Sequence, residues 1–168
     1  MKKKIFVGID PGTIVTGYGF IKVTEKGFEA IDYGCIRPPS TLKLSDRYLI
    51  LSNSLEELLD RHACDALIVE SQYIRYNPAS VLKLGIAKGI AIIAAKKRGL
   101  PVYEYSPSKA KQAVVGKGNA SKQQVQRMMQ YLLKLPRPPE PEDAADALAL
   151  ALCHAQSLQL TVKPPKEL

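Results

Sequence analysis

The chain has 168 residues, a formal net charge of +8, 46% hydrophobic residues and three cysteines. That length suits one domain with a core of its own, and the scattered Cys35, Cys64 and Cys153 have no metal-ligand spacing, so they read as reduced cysteines of a cytosolic protein. The basic start is followed by an apolar run that Asp10 cuts short, which argues against a signal peptide, and no stretch is expected to approach the ~18 apolar residues of a membrane span.

Strands are expected at 4–9, 16–23 and 28–36, joined by short connections as an antiparallel meander. Ile5, Phe6, Val7 and Ile9 make the first of them buried on both faces, and Asp10 is the first charge to break that run, in VGIDPGTIVTGYG. Asp10 either caps the turn through the amides of Gly12 and Thr13 or stands in a cleft at the strand's C-terminal end. Leu44, Tyr48, Leu51, Leu55 and Leu58 recur at helical spacing, which predicts an amphipathic helix over 44–63. DALIVE, 65–70, is a short buried strand ending in Glu70. Residues 79–98 are apolar almost all round, so that helix should be buried on more than one side, against the sheet and as the candidate seam with a second subunit. A strand at 101–106, a helix at 107–114, the glycine-bearing loop VVGKGNAS, a helix at 122–133, a proline-rich approach and a last helix at 142–157 complete the order. Residues 1–157 thus form one α/β domain, with 158–168 a loose tail.

Charge is distributed unevenly. Between Ser71 and Pro139 stand thirteen Lys or Arg against one acid, Glu104, while the rest of the chain is net acidic. A basic half beside an acidic one points to a polyanion as partner, the alternative being a solvated basic surface.

The acids form a second pattern. Asp10 and Glu70 each end a buried strand, and Asp143 and Asp146, three apart, share one face of an alanine- and leucine-rich helix that must pack on the core. Favourable interaction with the helix dipole would suffice for Asp143 and explains less of Asp146. Four converging carboxylates repel unless a hard cation neutralises them. Magnesium fits that need, and two ions about 4 Å apart can clamp the attacking and leaving oxygens of a phosphodiester.

The ordered set GIDPGTIVTGYG (8–19), GCIRP (34–38), SDRYLILSNSL (45–55), VESQY (69–73), ASVLKLGIAKGIAI (79–92), EYSPSKAKQAVVGKG (104–118), LLKLP (132–136) and DAADALALA (143–151) resembles the RuvC family, endonucleases that resolve Holliday junctions. The resemblance covers the chain to about residue 155. It implies a ribonuclease H-like α/β fold, a mixed five-stranded sheet flanked by helices. It also implies a homodimer acting on four-way junction DNA, with the branch-migration complex of RuvA and RuvB as partner, and cleavage that leaves a 5'-phosphate and a 3'-hydroxyl. By position, the family's metal-binding carboxylates fall on Asp10, Glu70, Asp143 and Asp146, for two Mg2+ ions with Mn2+ as a substitute. Its basic residues near the scissile phosphate fall on Lys111 and Lys122, where a lysine offsets charge on the leaving oxygen; without the resemblance either is equally a solvated helix charge. Where many members carry a phenylalanine that stacks on a base, this chain has Tyr73, whose ring can still stack. Arg75, Lys83, Lys109 and Lys117 complete the expected DNA-binding set. His154 lies about 16 Å along the helix from Asp143, too far to share an ion, so it and His62 read as ordinary helix residues.

Other functional classes fit less well. An actin-like or sugar-kinase ATPase needs a second comparable lobe, and a P-loop is excluded because Ser121 and Lys122 stand where Gly-Lys is required. A non-catalytic DNA-binding module leaves Glu70 and Asp146 unexplained.

Overall fold

The computed structural model describes residues 3–71, 77–160 and 166–168. Its elements are β1 (Lys4–Asp10), β2 (Thr16–Thr24), β3 (Gly27–Ile36), α1 (Leu44–Arg61), β4 (Ala66–Glu70), α2 (Pro78–Lys96), β5 (Val102–Tyr105), α3 (Pro107–Val115), α4 (Lys122–Leu132) and α5 (Glu142–Leu160). The five strands form one sheet in the order β3-β2-β1-β4-β5. β1–β2 and β2–β3 pair antiparallel, whereas β1–β4 and β4–β5 pair parallel. The expected meander and the mixed five-stranded sheet are both present.

Both faces of the sheet are covered, as a sheet containing parallel strands requires. Val7, Ile9, Phe20, Leu67 and Val69 pack under α1 and α2 with Leu51, Leu55, Ala87 and Ala91. Phe6, Ile21 and Ile68 face the other way, with Val125, Met129, Leu148 and Leu152 of α4 and α5. Strand alternation then fixes the ends of β1 and β4: Asp10 shares its face with Phe6, and Glu70 with Ile68, so both carboxylates lie on the α5 side.

α5 sits unusually close to that face. A Cβ on Gly8 would stand 1.9 Å from the Ala147 carbonyl oxygen, and one on Gly17 would stand 2.0 Å from that of Asp143. Glycine is required at both positions so that helix backbone can rest directly on strand backbone.

Two boundaries depart from expectation. Residues 158–160, placed in the tail from sequence, continue α5, since SLQL contains nothing that stops a helix. Beyond them, the Leu168 N–H donates to the Val102 carbonyl at 2.9 Å and Glu167 pairs with Lys96 at 3.1 Å. His62 lies just past α1 as its C-cap, with its ring 2.8 Å from the Asp32 carboxylate.

α2 also corrects one expectation, that no stretch is apolar enough to span a membrane. It is long and apolar enough to cross a membrane by length and composition, because Lys83 and Lys88 are embedded among apolar residues. Within this chain it is buried on one side, through Ala87, Ala91, Ala94 and Ala95. Its large residues point away, with Leu82 70%, Ile86 50% and Ile93 59% exposed.

His154 is fully buried on α5, edge-on to Phe6 at 4.9 Å, with Nδ1 3.0 Å from the Tyr105 hydroxyl. Burial, reinforced by Lys4, pulls its pKa from 6.5 down to about 4. Between those values the unfolded chain binds the proton that the folded chain refuses, so the contribution of this one group to stability falls as pH drops from 6.5 towards 4, opposite in sign to that of any carboxyl whose pKa folding raises. The contribution is at most about 3 kcal/mol. Denaturant titrations of the parent and His154→Phe at pH 7 and 4.5 should show a smaller acid loss in the variant; parallel losses would refute the assignment.

Candidate active site

The site is built at the carboxyl ends of β1 and β4. Ile9 is paired with Val69, so the next residues, Asp10 and Glu70, are neighbours on adjacent parallel strands. Across the other edge of β1, Asp10 is paired with Gly17, and Gly17 with Cys35 of β3. The Asp143 carbonyl lies over Gly17, so the first turns of α5 bring Asp143 and Asp146 to the same place. The Gly12 N–H is taken by Thr16 Oγ1 at 3.2 Å, so the turn-capping alternative for Asp10 does not apply to that amide.

Electrostatics show that the four acids act on one another. Burial raises the Asp10 pKa well above the usual carboxylate range, and the charges of Glu70, Asp146 and Asp143 raise it further against the opposing pull of Lys122. Burial and Asp146 push Glu70 up to about 7, opposed by Lys111 and Lys122. Asp146 is raised by burial, with Lys122 and Lys111 pulling it down. Among the described residues, no three acid, histidine or cysteine side chains already close on a common point as ion ligands. The four carboxylates nonetheless offer hard oxygen donors, which a hard divalent cation would suit.

Both expected lysines stand on separate helices, and their charges act on Glu70 and Asp146. Lys122 opens α4, where Ser121 and Gln124 form a reciprocal capping box, and its ammonium lies 3.2 Å from Glu142. Partial burial pulls the Lys122 pKa down, but the bond to Glu142 and the charges of Asp146, Glu142 and Asp143 leave it raised. Lys111 lies on α3, whose first turn is capped by Ser106 accepting from the Lys109 N–H at 3.2 Å. Lys109 and Lys117 are exposed on and just after α3, and the Lys109 ammonium is 4.8 Å from the centre of the Tyr105 ring. Lys83 is on α2, on the opposite side of the sheet from α5, and is not among the charges that shift the carboxylates. Tyr73 and Arg75 lie outside the described residues.

Two residues of the site escaped the sequence reading. Cys35, read as a core cysteine, stands beside the acids; burial, then Asp143 and Asp10, raise its thiol to about 11 while the Ala144 amide bonds to it. Its register opposite Gly17 was the available signal. Arg47 donates from α1 to the Thr13 carbonyl in the loop that follows Asp10, and nothing in the local sequence indicates that bond.

Residues 6–154 match the family model described as crossover junction endodeoxyribonuclease RuvC. The crossover junction endodeoxyribonuclease RuvC of Protochlamydia amoebophila (strain UWE25) is 59% identical over 152 residues, 90% of this chain and 90% of that protein. A structure of Thermus thermophilus RuvC superposes with a TM-score of 0.85 at 32% identity, covering 96% of this chain and 99% of that one. T. thermophilus RuvC in complex with Holliday junction substrate gives a TM-score of 0.85 at 29% identity, covering 97% and 99%.

A raised carboxyl pKa has a measurable consequence. The folded Glu70 keeps its proton up to pH about 7, whereas the unfolded one loses it near 4.5. In that window the folded state binds more protons, so metal-free stability should rise as pH falls from 8 towards 4.5. Glu70→Gln should reduce this dependence, leaving the share of Asp10 and Asp146, and stabilise the protein at pH 8 by up to ~3 kcal/mol. Urea denaturation in a chelator at pH 8 and 5.5 tests it; an unchanged pH difference in the variant would sink the assignment.

Proposed function

The chain belongs to the RuvC family of crossover junction endodeoxyribonucleases, and from that premise we propose that Asp10, Glu70, Asp143 and Asp146 form the active site of a magnesium-dependent Holliday junction resolvase. The protein is a nuclease that acts in DNA recombination and repair by resolving four-way junctions. The observation that carries the active-site proposal is the meeting of carboxylates from three elements: Asp10 and Glu70 follow the paired Ile9 and Val69 on adjacent parallel strands, and the Asp143 backbone of α5 lies over Gly17, the partner of Asp10. A purely structural set of acids would be paired with cations or dispersed.

Asp10, Glu70, Asp143 and Asp146 would hold the magnesium, with manganese as an acceptable substitute. When bound, the metal supplies Lewis-acid polarisation of the phosphate and a more acidic water. The chain's own residues do the rest. Lys111 and Lys122, fixed on two capped helices, face the acids and offset negative charge on the leaving 3' oxygen, so that hydrolysis leaves a 5'-phosphate and a 3'-hydroxyl. Lys109 and Lys117 extend the cationic surface for the DNA backbone. Tyr73 and Arg75, next along the chain from Glu70, are assigned to the crossover strands, with the tyrosine ring as a stacking platform.

A synthetic four-way junction should be cut with magnesium or manganese and spared with a chelator, while linear duplex is spared throughout. Equal cutting of both substrates would overturn junction selectivity. Asp10→Asn or Asp146→Asn should abolish nicking and leave junction binding intact or stronger, because one negative charge fewer faces the phosphate. Near-parental cleavage by either variant would remove that residue from the set. Lys111→Ala and Lys122→Ala should lower the cleavage rate more than the affinity; an equal, small loss from Arg127→Ala would reduce both to diffuse attraction.

We further assign the exposed side of α2 to a homodimer. A four-way junction has two strands to cut about a two-fold axis, and an isologous dimer presents two sites with that symmetry. Leu82, Ile86 and Ile93 supply the apolar surface. The branch-migration complex of RuvA and RuvB is the assigned partner in the same pathway. Sedimentation should give a dimer for the parent and a monomer for Leu82→Glu/Ile86→Glu, with paired incision replaced by single nicks. A dimeric double variant would refute the seam.

A further inference from the structure

The loop of residues 11–15 joins β1 to β2 directly beyond the Asp10–Gly17 pair. Pro11 is buried and Gly12, Thr13 and Val15 are partly covered, while Ile14 alone is exposed, at 65%. The backbone on both sides of it is tied down. The Thr16 hydroxyl donates to the Gly12 carbonyl at 2.9 Å and accepts from the Gly12 N–H at 3.2 Å. Gly12 itself is packed so closely that a Cβ there would stand 1.9 Å from the Val15 carbonyl oxygen. Arg47 reaches from the first turns of α1 to donate to the Thr13 carbonyl, and its Nε is buried with no partner among the described residues. A β-branched side chain is also stiff at χ1. The result is an apolar group held in one place in water, at the rim of the carboxylate cluster.

At 65% exposure, Ile14 has no burial among the described residues that would account for its being apolar. Its surroundings do account for it. A cation at the rim would be drawn onto Asp10 and its neighbours, and an acid would add to their repulsion. An apolar group does neither, and it matches the carbon surface that deoxyribose presents between phosphates. Resting on the junction-nuclease reading above, we propose that Ile14 is a substrate-contact residue that packs on the sugar of the strand whose phosphate lies over Asp10, and that Arg47 is the positioning residue that holds it there. The cationic residues bring the backbone close without setting where along the strand it stops; a fixed apolar contact sets that register.

Full-length Ile14→Ser and Ile14→Leu test this against a synthetic four-way junction. The measurements are single-turnover cleavage in magnesium, junction affinity in a chelator, and Tm. Ile14→Ser should lose about tenfold or more in single-turnover rate at an unchanged Tm, and Ile14→Leu should recover to within about threefold of the parent. In an Arg47→Ala background, Ile14→Ser should cost less than threefold more, because the contact is already misplaced. Ile14→Ser at the parental rate and affinity overturns the proposal, and so does a loss of rate that accompanies a lowered Tm. Full additivity with Arg47→Ala overturns the positioning role. Failure of the parent itself to cut the junction is separate and overturns the reading on which the proposal rests.

Discussion

Everything at the active-site end depends on how closely the α5 backbone lies on β1 and β2. Three glycines, Gly8, Gly17 and Gly19, line one face of the antiparallel pair, and each would collide with α5 if it carried a Cβ. Such contact is tolerated because the helix brings alanines: Ala144, Ala145, Ala147 and Ala151 are all buried. Small residues on both partners let backbone approach backbone, whereas an ordinary helix–sheet layer would hold α5 several ångströms further out. Asp143 and Asp146 are short side chains and could not span that extra distance. The glycines are therefore as much a part of the site as the acids.

The proximity has an electrostatic cost. Partly desolvated carboxylates from three elements raise one another's pKa, which means that folding assembles them against their preference. The core must supply what this costs, and it is continuous beneath the site: Phe6, Ile68, Leu148, Ala149 and Leu152 pack immediately below the acids' end of the sheet. Lys111 and Lys122 recover part of the cost from α3 and α4. Their effect on Glu70 and Asp146 is opposite in sign to that of burial. A bound cation would relieve that repulsion, which is what the proposed metal site requires.

The strands and helices were legible because hydrophobic periodicity dominates them. The run IFVGI, the spacing of Leu51, Leu55 and Leu58, and the alanine-leucine pattern after Asp143 each permit one packing. The convergence of Asp10, Glu70, Asp143 and Asp146 was legible because each ends a strand or opens a helix. What could not be read is long-range and polar. Arg47 to Thr13 spans 34 residues and His62 to Asp32 spans 30, and neither pair carries a local pattern. Which side of α2 meets the sheet could not be read for a different reason: when nearly every position is apolar, periodicity is weak, and residue size decides the buried side. The alanines went in, and the leucine and isoleucines stayed out.

Size and charge together also explain why the basic half of the chain does not act as one surface. On the α1–α2 side many of the cations are matched, Lys83 and Arg47 excepted: Lys97 bonds Glu56, Arg98 bonds Asp60, Lys96 bonds Glu167, and Lys88 bonds Glu104 of β5. On the α3–α4 side, Lys109, Lys111, Lys117, Arg127, Lys134 and Arg137 form no ion pair among the described residues. These unmatched charges belong to the layer that packs with α5, the layer that carries the acids. The excess in the sequence thus resolves into a compensated face and an uncompensated one. A polyanion is attracted more to the second, which carries the proposed site, and the first is left with an apolar helix most of whose flanking charges are paired. Under the proposed assignments, DNA and a second copy of the chain would meet opposite sides of one sheet, so that neither would have to displace the other.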